Sequence, residues 1–185
     1  GPQDEIGRPL GISRIPVREA LVALEQHGWV TLENNRGAYV AVLDEQAVRA
    51  PYELFGLVHG FASRRALERK EDGLGDKLLQ LARDFAASDG GRDADRIAIA
   101  FHAAIVAAAH SSRINVLLRS MSALVPGNFY TLVPKARELQ RPGFNAIARA
   151  IKRDDADGAA TGYTKMMQRV ANEVVTLFRA RDLFV

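Results

Sequence analysis

Ser13-Arg14 and Arg18 carry the first candidate chemistry: two guanidinium forks one helical turn apart, set just ahead of an apolar series at Val17, Leu21 and Leu24. An arginine fork can bond guanine O6 and N7 together, a pairing worth about 1–3 kcal/mol of base discrimination, and it also neutralises phosphate. Residues at i and i+4 share a helix face, so the two arginines project together while the apolar positions pack elsewhere. The second candidate is His102, inside the apolar run Ile97 to Ala109, with Asp95 two turns ahead of it. A satisfied core imidazole and a ligand contact both fit that placement.

Catalysis has little to stand on. The chain holds no G-x-S-x-G, H-E-x-x-H, P-loop or G-x-G-x-x-G, and it has no cysteine, which removes disulfides, thiolate zinc sites and cysteine nucleophiles. The apolar run around His102 falls short of the roughly 20 residues a membrane span needs. No cationic signal segment follows Gly1-Pro2, which reads as the remnant of a cleaved tag and stays outside the fold argument. A reducing, cytoplasmic home without membrane partners is the expectation.

With 185 residues, 48% hydrophobic and 25% charged, the chain suits one small and one larger folded module. Its net charge of +3 is not gathered at the N-terminus. Residues 1 to 40 carry Arg8, Arg14, Arg18 and Arg36 against Asp4, Glu5, Glu19, Glu25 and Glu33. Nucleic-acid binding here must therefore rest on placed arginines rather than bulk charge.

The elements that would place them follow from the pattern. Residues 4 to 10 read as a short helix stopped by Gly11, and Ser13 as the N-cap of a second helix with Pro16 in its first turn and a stop at His27-Gly28. Trp29 to Leu32 and Ala38 to Val42 flank the Asn- and Gly-bearing turn 33–37, a hairpin signal. Helix, turn, helix and hairpin make a winged helix-turn-helix over residues 3–43. From residue 44 onward, segments 45–70, 74–88, 93–110, 113–133, 144–152 and 155–181 carry helical periodicity. Breaks are expected at Gly73, Gly90-Gly91, Ser111-Ser112, Pro134, Arg141-Pro142-Gly143 and Asp154-Asp155. The fold class is mainly α: the small winged module, then an all-α bundle of about six helices over 44–185. The acids at 154, 155 and 157 are most simply a helix cap and first turn, and His110 a helix-end residue.

The motif "LGISRIPVREALVALEQHGWV…NNRGAYV" closely resembles the winged helix of GntR-type transcriptional regulators, and the helical half resembles the FadR-like effector domain called FCD, mainly through helix count and Phe101-His102 with the small residues after it. The resemblance implies an effector-responsive regulator that binds a pseudo-palindromic double-stranded operator as a homodimer. It makes Arg14 and Arg18 the main DNA contacts, Ser13 and Pro16 their framing contacts, and Arg36-Gly37 the wing tip. The family's first helix, normally ahead of Asp4, is missing from this sequence.

The departures bear on the effector. Many FCD domains hold a divalent metal with an Asp, the motif His and two further His; the matching positions here are Ala98, His102, Asn145 and Met166. One imidazole alone makes no structural metal site, so neither metal nor another cofactor is expected. The arginine that pairs with carboxylate effectors corresponds to Phe55, with His59 where an acid is common. These exchanges imply an apolar pocket for a fatty acid or acyl thioester, lined by Phe55, His59, Phe101, His102, Asn145 and Met166. Regulators of lipid uptake become the closer comparison, and a metal-dependent regulator of a small carboxylate is the alternative. Phe61, Phe129, Tyr130 and Tyr163 could line the same cavity or simply fill the core.

Overall fold

The computed structural model describes residues 8–9, 11, 13–26, 30–33, 36–40, 44–122, 129–133 and 135–182. They fall into two compact units that divide between Leu43 and Asp44.

In the first unit, helix α1 (Arg14–Gln26) is followed by an antiparallel pair, β1 (Val30–Glu33) and β2 (Gly37–Val40), in the register Val30↔Val40 to Glu33↔Gly37. Val17 and Leu21 are buried, but Leu24 is 40% exposed, so the inward face of α1 is narrower than its apolar spacing implies. The hairpin is tied to the helix by Leu32 N–H, which donates to Glu25 Oε1 at 2.9 Å. Gly37 sits at φ +124°, a conformation that L side chains rarely adopt, which is why the turn ends on glycine. Of the short helix expected at 4–10, only Arg8 and Pro9 are described, both helical; Gly11 follows at φ +64° with its N–H on Arg8 O. The expected stop at His27-Gly28 and the turn residues Asn34-Asn35 lie outside the described residues.

The second unit is helical among its described residues: α2 (Glu45–Arg69), α3 (Leu74–Ala87), α4 (Gly91–Ala108), α5 (Ser112–Ser122), the short α6 (Phe129–Leu132), α7 (Lys135–Lys152) and α8 (Ala156–Ala180). The two longest helices begin on aspartate caps: Asp44 Oδ1 accepts from Ala47 N–H at 2.7 Å and Asp155 Oδ1 from Gly158 N–H at 2.8 Å. Packing closes a ring in which α2 lies against α8, α8 against α7, α7 against α3, α3 against α4, and α4 back against α2. Its interior is filled by Phe85, Phe101, Phe144, Ile147, Tyr163 and Val170, each at most 1% exposed.

One expected break is absent. α7 runs straight through Arg141-Pro142-Gly143. A proline leaves the carbonyl one turn earlier without its helical donor, but here both Pro142 and Glu138 are exposed, so water can satisfy that carbonyl. The opposite face is held by a reciprocal glycine contact: Gly143 of α7 meets Met166 of α8, and Gly162 of α8 meets Ile147 of α7. Seven described helices replace the expected six because the expected helix 113–133 is represented by α5 and α6, while residues 135–143 extend the helix expected at 144. Residues 123–128 of that segment lie outside the described set.

A Cβ on Gly143 would stand 2.5 Å from Met166 Sδ and 2.8 Å from Met166 Cβ, so the helices must part to admit it. Gly143→Ala should therefore lower unfolding free energy by about 1–3 kcal/mol in urea denaturation, the usual cost of overpacking; an unchanged midpoint would mean that α7 and α8 are not this close.

Candidate functional site

Four helices bring rings to one point. Phe55 and His59, one turn apart on α2, face each other at 4.0 Å between centroids. From α4, His102 meets Phe55 edge-on at 5.1 Å and His59 at 4.9 Å. Tyr163 of α8 stacks on His59 at 5.2 Å, and Phe144 of α7 lies 5.4 Å from His102 and 4.5 Å from Phe101. Such offset and edge-on pairs add about 0.5–1.5 kcal/mol each beyond area burial. His59 is 2% exposed and Tyr163 fully buried, while Phe55 and His102 remain half-buried, so the cluster opens at their edge.

Its polar atoms have specific partners. His59 Nδ1 lies 3.0 Å from Phe55 O, and His102 Nδ1 lies 3.0 Å from Tyr163 Oη. Ser63, also fully buried, donates its hydroxyl to His59 O at 2.9 Å. Desolvation pushes the His59 imidazole down to about 4, against the smaller opposing effect of its bond to Phe55. His102 is pushed well below the ordinary histidine value, first by burial and then by the neighbouring His59. Burial raises the Tyr163 phenol well above its ordinary value. All three groups are neutral at pH 7.

Of the expected pocket residues, the structure joins Phe55, His59, Phe101 and His102. Asn145 is half-buried, and its Nδ2 donates to Arg141 O on its own helix at 3.2 Å. Met166 is fully buried and fills the space beside Gly143. Phe61 is 48% exposed, with the Arg65 guanidinium 5.1 Å from its ring centre, so it lines no interior cavity. Phe129 and Tyr130 belong to another part of the core, against Tyr52 and Phe85. Asp95, considered beside His102, accepts from Tyr130 N–H at 3.3 Å instead. Phe144 was not anticipated, because it follows the Pro-Gly pair read as a break; the apolar spacing Phe144, Ile147, Ile151 was the signal that could have found it.

The four positions expected from the sequence to correspond to metal ligands offer a divalent ion little to bind. Ala98 has no donor, Asn145 is turned to Arg141, Met166 faces a helix crossing, and only His102 offers nitrogen. Among the described residues no three His, Cys, Asp or Glu side chains gather to hold a metal, and no helix is long and apolar enough to cross a membrane.

On the first unit, Ser13, Pro16 and Arg18 are exposed and Arg14 is the first residue of α1. The Arg36 side chain is 79% exposed and lies 3.7 Å from Glu33, at the turn that enters β2 through Gly37.

A helix with Arg18 exposed, a two-stranded wing and a closed ring of helices are the parts of a two-domain transcriptional regulator. The chain belongs to the GntR family of bacterial regulators: residues 51–169 match the FCD domain and residues 2–40 the DNA-binding region of the bacterial regulatory proteins, gntR family. It is 27% identical over 182 residues to an uncharacterised HTH-type transcriptional regulator of Mycobacterium tuberculosis, covering 98% of this chain and 75% of that one. Among solved structures, a GntR family member from Pseudomonas syringae pv. tomato superposes with a TM-score of 0.65 at 20% identity, over 96% of this chain and 77% of that chain. Lar, which controls the agr system of Listeria monocytogenes, gives a TM-score of 0.64 at 16% identity, over 95% and 86%. At these identities the superpositions establish the fold.

The histidine chemistry carries a sign for stability. In the folded state His59 titrates near 4, while an unfolded histidine titrates near 6.5, so between these values the unfolded chain binds more protons and stability falls as pH falls. From pH 7 to pH 4 the His59 contribution should cost about 3 kcal/mol in denaturant unfolding, and His59→Gln should flatten that slope; an equal loss in the variant would assign the acid sensitivity elsewhere.

Proposed function

We propose that the chain is an effector-responsive bacterial regulator that binds a pseudo-palindromic operator as a homodimer, with residues 3–43 contacting DNA and residues 44–185 binding effector and partner. The observation that carries this reading is the uncharged ring cluster of Phe55, His59, Phe101, His102, Phe144 and Tyr163 in the FCD domain. It suits an apolar effector such as a fatty acid or acyl thioester, because an unpaired charge buried there would be costly. The adjacency of His59 and His102 is the one feature that favours the alternative, a metal-dependent regulator of a small carboxylate. A cytoplasmic location follows from DNA binding.

Homodimerisation is assigned to the helical unit. Leu54, Leu57 and Phe61 form a half-exposed ridge on α2 beside a groove of about 800 Å³ whose floor includes Val58, Ile114 and Leu117. Ridge and groove on one face are what an isologous contact requires, since each copy then offers both halves of the fit. Leu57→Glu with Phe61→Glu should convert the protein to a monomer in sedimentation at micromolar concentration; a dimer that survives both changes uses another face.

Operator contact is assigned to Arg14 and Arg18 at the start of α1, framed by Ser13 and Pro16, with Arg36-Gly37 reaching the backbone. Arg18→Ala or Arg14→Ala should abolish specific binding in a gel shift at fixed salt and leave the melting temperature unchanged. Binding within twofold of wild type would remove the recognition-helix assignment.

A further inference from the structure

The hydrogen bonds around the two imidazoles settle which nitrogen holds each proton. Phe55 O can only accept, so His59 Nδ1 is the donor and His59 Nε2 presents a bare lone pair. Tyr163 is fully buried, and its hydroxyl proton would be stranded if His102 Nδ1 donated to it, a loss that costs about 1–3 kcal/mol. Tyr163 O–H therefore donates to His102 Nδ1, and His102 carries its own proton on Nε2. The raised phenol keeps that proton available at every working pH.

The pair thus offers one acceptor, His59 Nε2, and one donor, His102 Nε2–H, from rings 4.9 Å apart. Neither Nε2 has a protein hydrogen-bond partner among the described residues. The fully buried, unpartnered side-chain polar atoms in that set are Asp95 Oδ2 and Arg137 Nε, and neither Nε2 is among them. The other elements packed here face the pair with Tyr163 from α8 and Phe144 from α7, which bring no charge.

We propose that this pair recognises the head group of the effector, and that the head group is neutral and both donates to His59 Nε2 and accepts from His102 Nε2–H: an alcohol, a primary amide or a protonated acid, not a carboxylate. The inference rests on the reading of the ring cluster as the effector site. A carboxylate brings acceptors only, so it would meet the His59 lone pair with a negative charge. It enters only with a proton, taken up either by itself or by an imidazole that titrates near 4. An alcohol meets no such requirement.

The test compares 1-decanol with decanoate on the 185-residue chain by titration calorimetry, at pH 7 and pH 6, in buffers of different ionisation enthalpy. Decanol should bind with the same affinity at both pH values. Decanoate should bind at least about tenfold more weakly at pH 7, gain up to about tenfold per pH unit of acidification and take up one proton as it binds. His59→Phe keeps the aromatic stack and should erase the preference for decanol. Decanoate bound at pH 7 as tightly as decanol, without proton uptake, would overturn the head-group inference and leave the apolar pocket standing. Binding of neither probe would overturn both. A stoichiometric divalent metal that copurifies and is lost in His102→Ala would also overturn the inference, because the ion would occupy the lone pair assigned to ligand.

Discussion

The hydrogen bond between Tyr163 and His102 is the constraint on which the effector domain turns. A phenol sealed inside an apolar ring must place its proton, and one nitrogen from a different helix takes it. That bond fixes the depth of α4 against α8, while the His59 Nδ1 bond to Phe55 O fixes the rotation of the His59 ring on α2. Phe144, presented by α7 through the close Gly143–Met166 crossing, closes the fourth side. The glycines let the helices approach, and the approach excludes water. The lost water in turn holds both imidazoles neutral.

Neutrality has two opposing consequences. At pH 7 the imidazoles carry no charge to be buried, so they pack as aromatic rings and stabilise the ring of helices. As acid accumulates, the unfolded chain gains protons that the folded chain refuses. The same refusal is a filter on ligands, since a group that would force a proton onto His59 loses affinity by the same linkage. Stability and selectivity here are one electrostatic property seen from two sides.

Local signals were legible in the sequence, and contacts between distant segments were not. Asp155 announces its helix because capping depends on a few neighbouring residues. The hairpin was legible for the same reason, through Gly37 and the β-prone runs beside it. Pro142 misled because its helix-breaking tendency is local, whereas α7 continues through it and packs Gly143 against Met166 of another helix. Phe61 misled in the opposite sense: its helical spacing looks interior, but it stands 48% exposed at the groove beside Ile114 and Leu117. His59 and His102 were each noticed, yet nothing in a one-dimensional pattern makes two imidazoles on separate helices a donor–acceptor pair. That required the carbonyl of Phe55 and the hydroxyl of Tyr163 in space.

A ligand that satisfies the two Nε2 atoms would touch α2 and α4 at once, and through Tyr163 it would be coupled to α8. Any free energy it contributes is added to the folded state as RT ln(1 + [L]/Kd), which reaches about 2.7 kcal/mol when the ligand is at a hundred times its Kd. The helix that carries Phe55 and His59 also carries the Leu57–Phe61 ridge assigned to the partner, with the two sets interleaved along the same turns. A shift of α2 large enough to re-seat His59 therefore displaces Leu57 as well. Effector binding and subunit contact draw on one rigid element, which is the physical requirement for a signal to pass between them.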